Sequence, residues 1–219
     1  MKIQKFENIK YIIFDFDGTL VNSNKLKEDG FLYLYRKYDK DIQNKISCFH
    51  NANMGMNRFE KFKNINEKIL NISFSESLGK KLSDEYFNFI YKNIKLTEFI
   101  NGSQEFLENN LMNYSYILCS VTLDKDLKKI VKMKNIESYF KIIKGGPQNK
   151  IDIVKNILLQ IKKPVNTFLS IGDSLTDLEF SKKLGINFVG VKSYGSYPFD
   201  KNIITISNFF ELEKYLWKF

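Results

Sequence analysis

Arginine is almost absent from this sequence, which has 219 residues and 34 lysines and arginines together. Only Arg36 and Arg58 carry a guanidinium group, the group that proteins favour for reading DNA bases and for binding phosphates with two hydrogen bonds. The remaining basic residues are lysines scattered along the chain. The formal net charge of +9 at pH 7 therefore does not predict specific nucleic-acid binding, although a positive field attracts small anionic substrates.

Cysteine, proline, glycine and long apolar runs are also scarce. Cys48 and Cys119 are the two cysteines; they could form one disulfide, but a chain of this length does not need it, and we expect a reducing, cytoplasmic setting. Three prolines and 11 glycines exclude collagen-like and low-complexity classes. No apolar run approaches the roughly 18 residues of a membrane-spanning helix, and Asp15 interrupts the apolar stretch 11–14, unlike the core of a signal peptide. We therefore expect no membrane partner.

The sequence does contain enough apolar residues for a large hydrophobic core. Apolar residues make up 43%, with 20 Phe and 12 Tyr, which excludes a disordered chain. Apolar runs of the buried-strand type predict six strands, at 10–16, 116–119, 140–143, 167–171, 187–191 and 202–206. Helical spacing predicts helices at 103–112, 124–133, 151–161 and 175–184, and a last helix capped by Ser207. This alternation is typical of an α/β fold with a parallel sheet covered on both faces.

Residues 21–97 break the alternation. They contain no convincing buried strand, and their apolar residues recur at helical spacing instead. We predict a helical domain inserted after the first strand. The predicted organisation is a core made of residues 1–20 and 98–219, and a helical cap made of residues 21–97.

Two carboxylates, Asp15 and Asp17, end the first predicted strand in the string FDFDGTL at 14–20. Because side chains alternate along a strand, both carboxylates project to the same side. Two like charges at the buried end of a strand are costly unless a cation lies beside them. A hard cation such as Mg²⁺ accepts these oxygen ligands, so this string predicts a metal site.

A second acidic pair, Asp173 and Asp177, follows the strand at 167–171 and opens a helix. The two are one helical turn apart, so both carboxylates can face one point. Ser120 ends the strand at 116–119, and Lys150 stands at the front of the helix at 151–161. Both acidic pairs, Ser120 and Lys150 lie at the carboxyl ends of predicted parallel strands or in the loops beyond them, where open α/β sheets bind ligands.

These residues resemble the four ordered motifs of the haloacid dehalogenase (HAD) superfamily: Asp15-x-Asp17-Gly18-Thr19, Ser120, Lys150 and Gly172-Asp173-x-x-x-Asp177. The resemblance covers residues 1–20 and about 98–219. It implies a Rossmann-like core and Mg²⁺-dependent phosphoryl transfer through an aspartyl-phosphate. The position of the insert, after the first strand, is similar to the helical cap that this family calls C1, as in its phosphoglycolate-phosphatase-like members.

By this resemblance, Asp15 is the nucleophile and Asp17 the general acid and base. Family dehalogenases lack the second acid, so Asp17 favours phosphate chemistry. The resemblance also implies that Ser120 and Lys150 hold the phosphoryl group. Backbone N–H groups around Gly18 could add a small anion nest.

The resemblance implies Mg²⁺ as the cofactor. Its ligands would be Asp15, the backbone carbonyl of Asp17, and Asp173, with Asp177 orienting this set. An acyl phosphate formed on a carboxylate is cleaved by water in a second, easier step, and Mg²⁺ would stabilise charge on the equatorial phosphoryl oxygens.

Within the insert, the segment 50–58 contains His50, a glycine break between helical patterns, and Arg58. A loop here could approach the phosphate and let Arg58 contact an anionic substrate; the alternative is a turn with an exposed His50 and a surface arginine. The leading hypothesis is a phosphatase acting on a small phosphorylated metabolite. A sugar phosphomutase and a non-catalytic phosphate-binding protein remain alternatives, and phosphoglycolate, sugar phosphates and nucleotides all remain open as substrates.

Overall fold

The computed structural model describes residues 6–193 and 198–216. Six strands form one sheet in which every neighbouring pair is parallel. In chain order they are β1 (Tyr11–Phe14), β2 (Ser115–Leu123), β3 (Phe140–Gly146), β4 (Phe168–Gly172), β5 (Asn187–Val191) and β6 (Thr205–Ile206). Their order across the sheet is β3-β2-β1-β4-β5-β6, so β1 is central. The predicted α/β fold is confirmed.

Helices cover both faces of the sheet because the central strands are apolar on both sides. Along β1, Ile12 and Phe14 belong to one buried cluster and Ile13 to the other, as expected from the alternation of side chains along a strand. The first cluster packs under α5 (Ser103–Asn109) and α6 (Asp124–Met133), and the second under α7 (Lys150–Ile161) and α8 (Leu175–Leu184).

Four α-helices lie between β1 and α5. They are α1 (Asn24–Leu34), α2 (Lys40–Ala52), α3 (Arg58–Asn64), which continues as a π-helical turn at Ile65–Ile69, and α4 (Glu76–Asn93). Phe31, Phe62 and Tyr86 pack at the centre of this unit, with ring centroids 4.9 to 6.1 Å apart. We call it the cap. None of the helices in the described ranges combines the length and apolar character needed to cross a membrane.

Some elements are shorter than predicted. Only Thr205 and Ile206 of the expected strand 202–206 pair with β5, and the expected helix 103–112 ends at Asn109. The last helix is a 3₁₀ helix, Phe209–Lys214, and its cap is Asn208, whose side chain accepts a hydrogen bond from the Glu211 amide. The prediction of Ser207 as the cap was wrong by one residue, because the Ser207 amide donates to the Glu211 carboxylate instead.

Candidate active site

The predicted site residues lie together at the carboxyl edge of the sheet. Asp15 directly follows β1 and is held by a hydrogen bond from its amide to the Ile171 carbonyl of β4, at 2.9 Å. Asp173 directly follows β4, and Ser120 lies in the adjacent strand β2, which pairs with β3 as far as Leu123. Three adjacent parallel strands thus bring three separate sequence motifs to one point, as expected for an open α/β sheet.

Lys150 links two of the acids. It is the first residue of α7, is buried, and its Nζ lies 2.7 Å from Asp15 Oδ1 and 2.6 Å from Asp177 Oδ1. Burial opposes the charged form, but the two carboxylates more than offset burial and raise the pKa of Lys150. The ammonium group is therefore fixed as a cation between Asp15 and Asp177.

Asp177 is held on both oxygens. Its Oδ2 accepts hydrogen bonds from the Ser174 hydroxyl, at 2.5 Å, and from the Ser174 amide, at 3.2 Å, while Lys150 occupies Oδ1. Ser174 and Asp177 form a capping box at the start of α8. The sequence therefore places this carboxylate through helix capping, and its oxygens already have donors.

Asp173 is tied to the cap. Its Oδ2 accepts hydrogen bonds from Asn24 Nδ2 and from Ser193 Oγ, both at 2.7 Å. Gly18 lies against the same carboxylate: a Cβ at this position would come within 2.0 Å of Asp173 Oδ2, and its φ of 75° is left-handed. Only glycine fits here, so the glycine after Asp17 allows the β1 loop to approach Asp173. The Gly18 amide donates to the Val21 carbonyl, so a phosphate contact at Gly18 stays a prediction.

The acids form a group suited to a divalent cation. One carboxylate oxygen from each of Asp15, Asp173 and Asp177 lies within 4.8 Å of the other two, and all three residues are buried. Burial raises the pKa of Asp15 well above its usual range; Lys150 opposes the shift, and the other acids add to it. Burial, with repulsion from Asp177, raises the pKa of Asp173 to about 6. A hard cation would relieve this repulsion, and carboxylate oxygens are the ligands that Mg²⁺ prefers.

Asp17 is half-buried and is surrounded by donors. Its Oδ1 accepts a hydrogen bond from Ser23 Oγ at 2.6 Å, and its Oδ2 accepts one from Thr122 Oγ1 at 3.0 Å. Lys27 of α1 places its Nζ 3.0 Å from the same Oδ2 and also donates to Thr122. A cap lysine therefore touches the acid that the sequence assigns to proton transfer.

A cavity of about 90 Å³ separates the sheet edge from the cap. Asp15, Asp17 and Ser120 line it from the core, and Lys27 and Arg58 are among the residues that line it from the cap. The cap loop touches the core beside it, since a Cβ on Gly55 would come within 1.8 Å of the Thr176 hydroxyl oxygen. The cap is therefore closed over the site.

Arg58 joins the cap to the core. Its Nη2 lies 2.5 Å from Asp126 Oδ2 of α6, with both side chains nearly buried. Its Nε atom is also buried and has no hydrogen-bond partner within the described ranges. The glycine break predicted before Arg58 is present, at Gly55 between α2 and α3. The alternative of an exposed His50 and a surface Arg58 was wrong, because both side chains face inward.

Sequence reasoning missed most of the cap's contribution. Asn24 and Lys27 are spaced three apart on α1, which puts them on one helix face, but nothing local indicates that this face meets Asp17 and Asp173. Lys61 of α3 was also missed. A lysine-rich sequence offers no signal that separates such residues from solvated ones.

The comparisons with known proteins agree with this architecture. The profile of the haloacid dehalogenase-like hydrolase family matches residues 12–191. No curated protein sequence matches the chain significantly.

Solved structures with this fold cover nearly the whole chain at low identity. A predicted phosphoglycolate phosphatase from Haemophilus somnus aligns with a TM-score of 0.74 and 19% identity, covering 94% of this chain and 97% of its own. The HAD-hydrolase YfnB from Bacillus subtilis, solved bound to magnesium, aligns with a TM-score of 0.72 and 17% identity, covering 94% of this chain and 97% of its own. A Thermotoga maritima protein provisionally described as a β-phosphoglucomutase aligns with a TM-score of 0.65 and 21% identity, covering 96% of this chain and 94% of its own. At such identities the likeness shows the fold.

Proposed function

Since this chain belongs to the haloacid dehalogenase-like hydrolase family, we propose that it is a Mg²⁺-dependent phosphatase that hydrolyses a small phosphorylated metabolite. The observation that carries the proposal is the arrangement of Asp15, Asp17 and Lys150 around one cavity between the sheet edge and the cap. One carboxylate lies against a fixed cation, and the other is surrounded by hydrogen-bond donors. This is a pairing of a nucleophile with a proton-transfer group.

In the first step Asp15 attacks phosphorus through a carboxylate oxygen, and the bond from phosphorus to the leaving oxygen breaks. Asp17 in its protonated form donates a proton to that leaving oxygen, so the product departs as an alcohol. In the second step Asp17, now ionised, takes a proton from water, and the resulting oxygen attacks the phosphorus of the aspartyl-phosphate. Inorganic phosphate and the free Asp15 carboxylate are released.

Ser120 and Lys150 hold the transferring phosphoryl group in this scheme. The Ser120 hydroxyl is buried at the cavity wall, and the Lys150 ammonium is fixed beside Asp15. A preorganised cation at the reacting oxygens stabilises the charge that develops there without a further rearrangement. Backbone N–H groups of the loop around Gly18 are the remaining proposed phosphate contact, although the Gly18 amide itself donates to the Val21 carbonyl.

Asp15, the backbone carbonyl of Asp17, and Asp173 would hold Mg²⁺, and Asp177 would orient the set through Lys150. The raised pKa values of Asp15 and Asp173 support a cation at this point, since burial and mutual repulsion are their causes. When bound, Mg²⁺ would neutralise charge on the phosphoryl oxygens.

Arg58 is the proposed substrate contact from the cap: the residue lines the cavity, and its buried Nε has no hydrogen-bond partner among the described residues. A cytoplasmic location is part of the same proposal; Cys48 and Cys119 are both free thiols.

The test is release of inorganic phosphate from an aryl phosphate by the purified protein, with Mg²⁺ and with excess chelator. Hydrolysis that requires Mg²⁺ and disappears in Asp15→Asn would support the phosphatase. The matched control is Asp152→Asn, an acid of similar size on exposed α7 surface, which is expected to keep full activity. Absence of turnover by folded protein across aryl and metabolite phosphates would contradict it.

A sugar phosphomutase of the same fold is the second candidate, favoured by the likeness to the Thermotoga maritima protein. It would use the same Asp15 and Asp17 but return the phosphoryl group to a sugar. Accumulation of an aspartyl-phosphate without phosphate release, together with interconversion of sugar phosphate isomers, would identify it.

A further inference from the structure

A second cavity lies within the cap and is separate from the one at the sheet edge. Its volume is about 290 Å³, against about 90 Å³ for the catalytic cavity, and among the described residues none lines both. Its walls are the end of α1 with the turn that follows, the π-helical turn after α3, and the first half of α4. Pockets for small molecules start at about 300 Å³, so this cavity is large enough for a ligand of its own.

Two buried polar side chains, Tyr35 and Asn66, belong to the wall of this cavity. Asn66 Nδ2 donates to the Tyr35 hydroxyl at 2.9 Å and to the Phe62 carbonyl at 2.8 Å. The Tyr35 hydroxyl accepts this one hydrogen bond and donates none to the residues that the structure describes. Burial raises the pKa of Tyr35, so the phenol keeps its proton. A side chain that is 3% exposed thus has an unused donor, which is costly unless an acceptor enters the cavity.

The backbone that carries Asn66 is a π-helical turn, Ile65–Ile69. Such turns are rare and occur frequently at functional sites. The α3 residues that line the catalytic cavity, Arg58 and Lys61, precede the turn. Asn66 is the residue that the turn places in a cavity wall, and that cavity is the one within the cap.

The lining of this cavity carries an excess of positive charge. Arg36, Lys37 and Lys81 are present against one acid, Glu85, and within residues 6–193 and 198–216 none of the four has an ion pair within 4.0 Å. The Arg36 guanidinium is held by its Nη1, which donates to the Tyr33 carbonyl at 2.7 Å, and it lies 4.1 Å from the centroid of the Tyr33 ring. A guanidinium held by a carbonyl and a ring keeps its charge for an incoming anion.

We propose that the cavity within the cap binds a small aromatic carboxylate, at a site distinct from the catalytic one. The carboxylate accepts the hydrogen bond that the Tyr35 hydroxyl does not make within the protein, and the three cations attract its charge. The apolar body packs on Leu34, Leu78 and Leu82, which line the same cavity. The inference does not depend on the proposed phosphatase function.

The lining favours this class of ligand over others. An inorganic anion alone would leave the leucine side chains uncovered, and a neutral apolar molecule would leave the Tyr35 donor and the cations unused. A polyol would need several convergent hydrogen-bond partners. The rings of Tyr35 and Tyr38, with centroids 6.3 Å apart, add aromatic surface to the wall, and aromatic rings pack well on one another.

The experiment measures binding of matched probes by NMR titration of the full chain. The probes are phenylacetate, 3-phenylpropanoate and 4-phenylbutanoate, each paired with its neutral primary amide, so that the ratio of the two dissociation constants isolates the charge. Tyr35→Phe removes the unused donor, and its matched control is Tyr33→Phe on the exposed side of α1. Arg36→Met removes a cation, and its control is Lys80→Met, an equal charge change on exposed α4 surface.

We expect one acid to bind with a Kd of about 1 mM or tighter and to bind about ten-fold more tightly than its amide, the size of a charge-assisted hydrogen bond. Tyr35→Phe should weaken the acid about five- to ten-fold, and Arg36→Met about three- to ten-fold. Both controls should stay within about two-fold of the unmodified protein. Arg36 lies at the surface, so its variant tests the site even if Tyr35→Phe does not fold.

Three results would overturn the inference. The first is the absence of binding by every acid, and the second is equal binding of each acid and its amide. The third is an acid preference that survives Arg36→Met but is lost in Lys61→Met, because Lys61 lines the catalytic cavity and the anion would then be bound there. None of these measurements requires turnover, so a failed phosphatase assay leaves them unaffected, and phosphate release without a carboxylate site would contradict this inference alone.

Discussion

The two walls of the cavity compensate their charges differently. On the core wall Lys150 is shared between Asp15 and Asp177, and Asp177 is fixed further by the Ser174 capping box. On the cap wall Lys61 lies against the imidazole of His50, and no carboxylate oxygen of the described residues lies within 4.0 Å of its ammonium group. The core wall has an excess of acids, which suits a metal ion, and the cap wall has an excess of cations, which suits an anionic substrate.

This difference separates chemistry from recognition. The core groups sit at the ends of strands in the centre of a six-stranded sheet, where backbone hydrogen bonds fix their positions. The cap groups sit on helices that meet the core mainly through side chains, among them Arg58 to Asp126 and Lys27 to Asp17. Side chains held by the sheet keep the geometry that one reaction requires. Side chains on the packed helices of the cap can be replaced without disturbing that reaction.

The largest effect is expected from removing the core cation with Lys150→Met. Two buried carboxylates would lose their shared partner, which costs about 3 to 5 kcal/mol of unfolding free energy. Loss of a preorganised donor at the phosphoryl group lowers kcat by about 10²- to 10³-fold. Denaturant unfolding and phosphate release measure the two effects.

The matched control for that change is Lys155→Met, on the exposed side of α7, which should alter neither quantity appreciably. Wild-type stability in Lys150→Met would show that Asp15 and Asp177 do not depend on this lysine for compensation.

The next largest effect is expected from Gly55→Ala, which should displace the cap loop from the core. The added Cβ would come within 1.8 Å of the Thr176 hydroxyl oxygen, so the loop must move away from the core. Because small displacements of substrate-contacting groups are costly, we expect kcat/KM to fall about ten-fold. A steady-state assay of Gly55→Ala with and without Thr176→Gly, which removes the opposing side chain, measures this; no recovery in the double variant would argue against a closure contact.

The site residues of the core wall could be predicted from the sequence, whereas those of the cap wall, apart from Arg58, could not. A central parallel strand is apolar on both faces, so β1 and β4 stand out as continuous runs, and their acids follow directly in local strings. The positions of Lys27 and Lys61 depend instead on how four helices pack, which no local pattern encodes. Arg58 was singled out because arginine is rare in this chain, but its pairing with Asp126 required the fold.

Smaller errors at the C-terminal end have a local cause. The stretch 202–206 is apolar enough to predict a full strand, but β6 is an edge strand that pairs only at Thr205 and Ile206. Asn208 and Ser207 are both good helix caps by residue type. The choice between them was decided by the Glu211 side chain, which bonds the Ser207 amide and lies in the helix that Asn208 caps.

A smaller effect, of opposite sign to that of Lys150→Met, is expected for Lys61→Met. Replacing a buried charge that lacks a partner by an apolar side chain of similar length should stabilise the protein by about 1 to 4 kcal/mol. Urea unfolding at pH 7 measures this gain. A loss of stability would show that Lys61 is compensated within the fold.

The gain should also depend on pH in a defined direction. Burial and the nearby Lys27 lower the pKa of Lys61 to about 7, below the ordinary value of 10.5, so between these values the unfolded chain binds more protons than the folded one. The penalty carried by Lys61 is therefore full below pH 7 and disappears as pH rises toward 10.5. The stabilising effect of Lys61→Met should shrink over the same window, and a gain that is constant from pH 7 to 10 would contradict a buried amine.

The smallest expected change is at His50, whose imidazole should not become protonated between pH 8 and pH 5. The chain has one histidine, so its imidazole resonances in a proton–nitrogen NMR spectrum are unambiguous. Because burial, more than the nearby lysine charges, holds its pKa at about 2, these resonances should stay those of a neutral ring from pH 8 down to pH 5. Lys61→Met should leave them neutral as well, since burial remains. A midpoint near 6.5 would mean that water reaches His50, and therefore that the cap wall is open in solution.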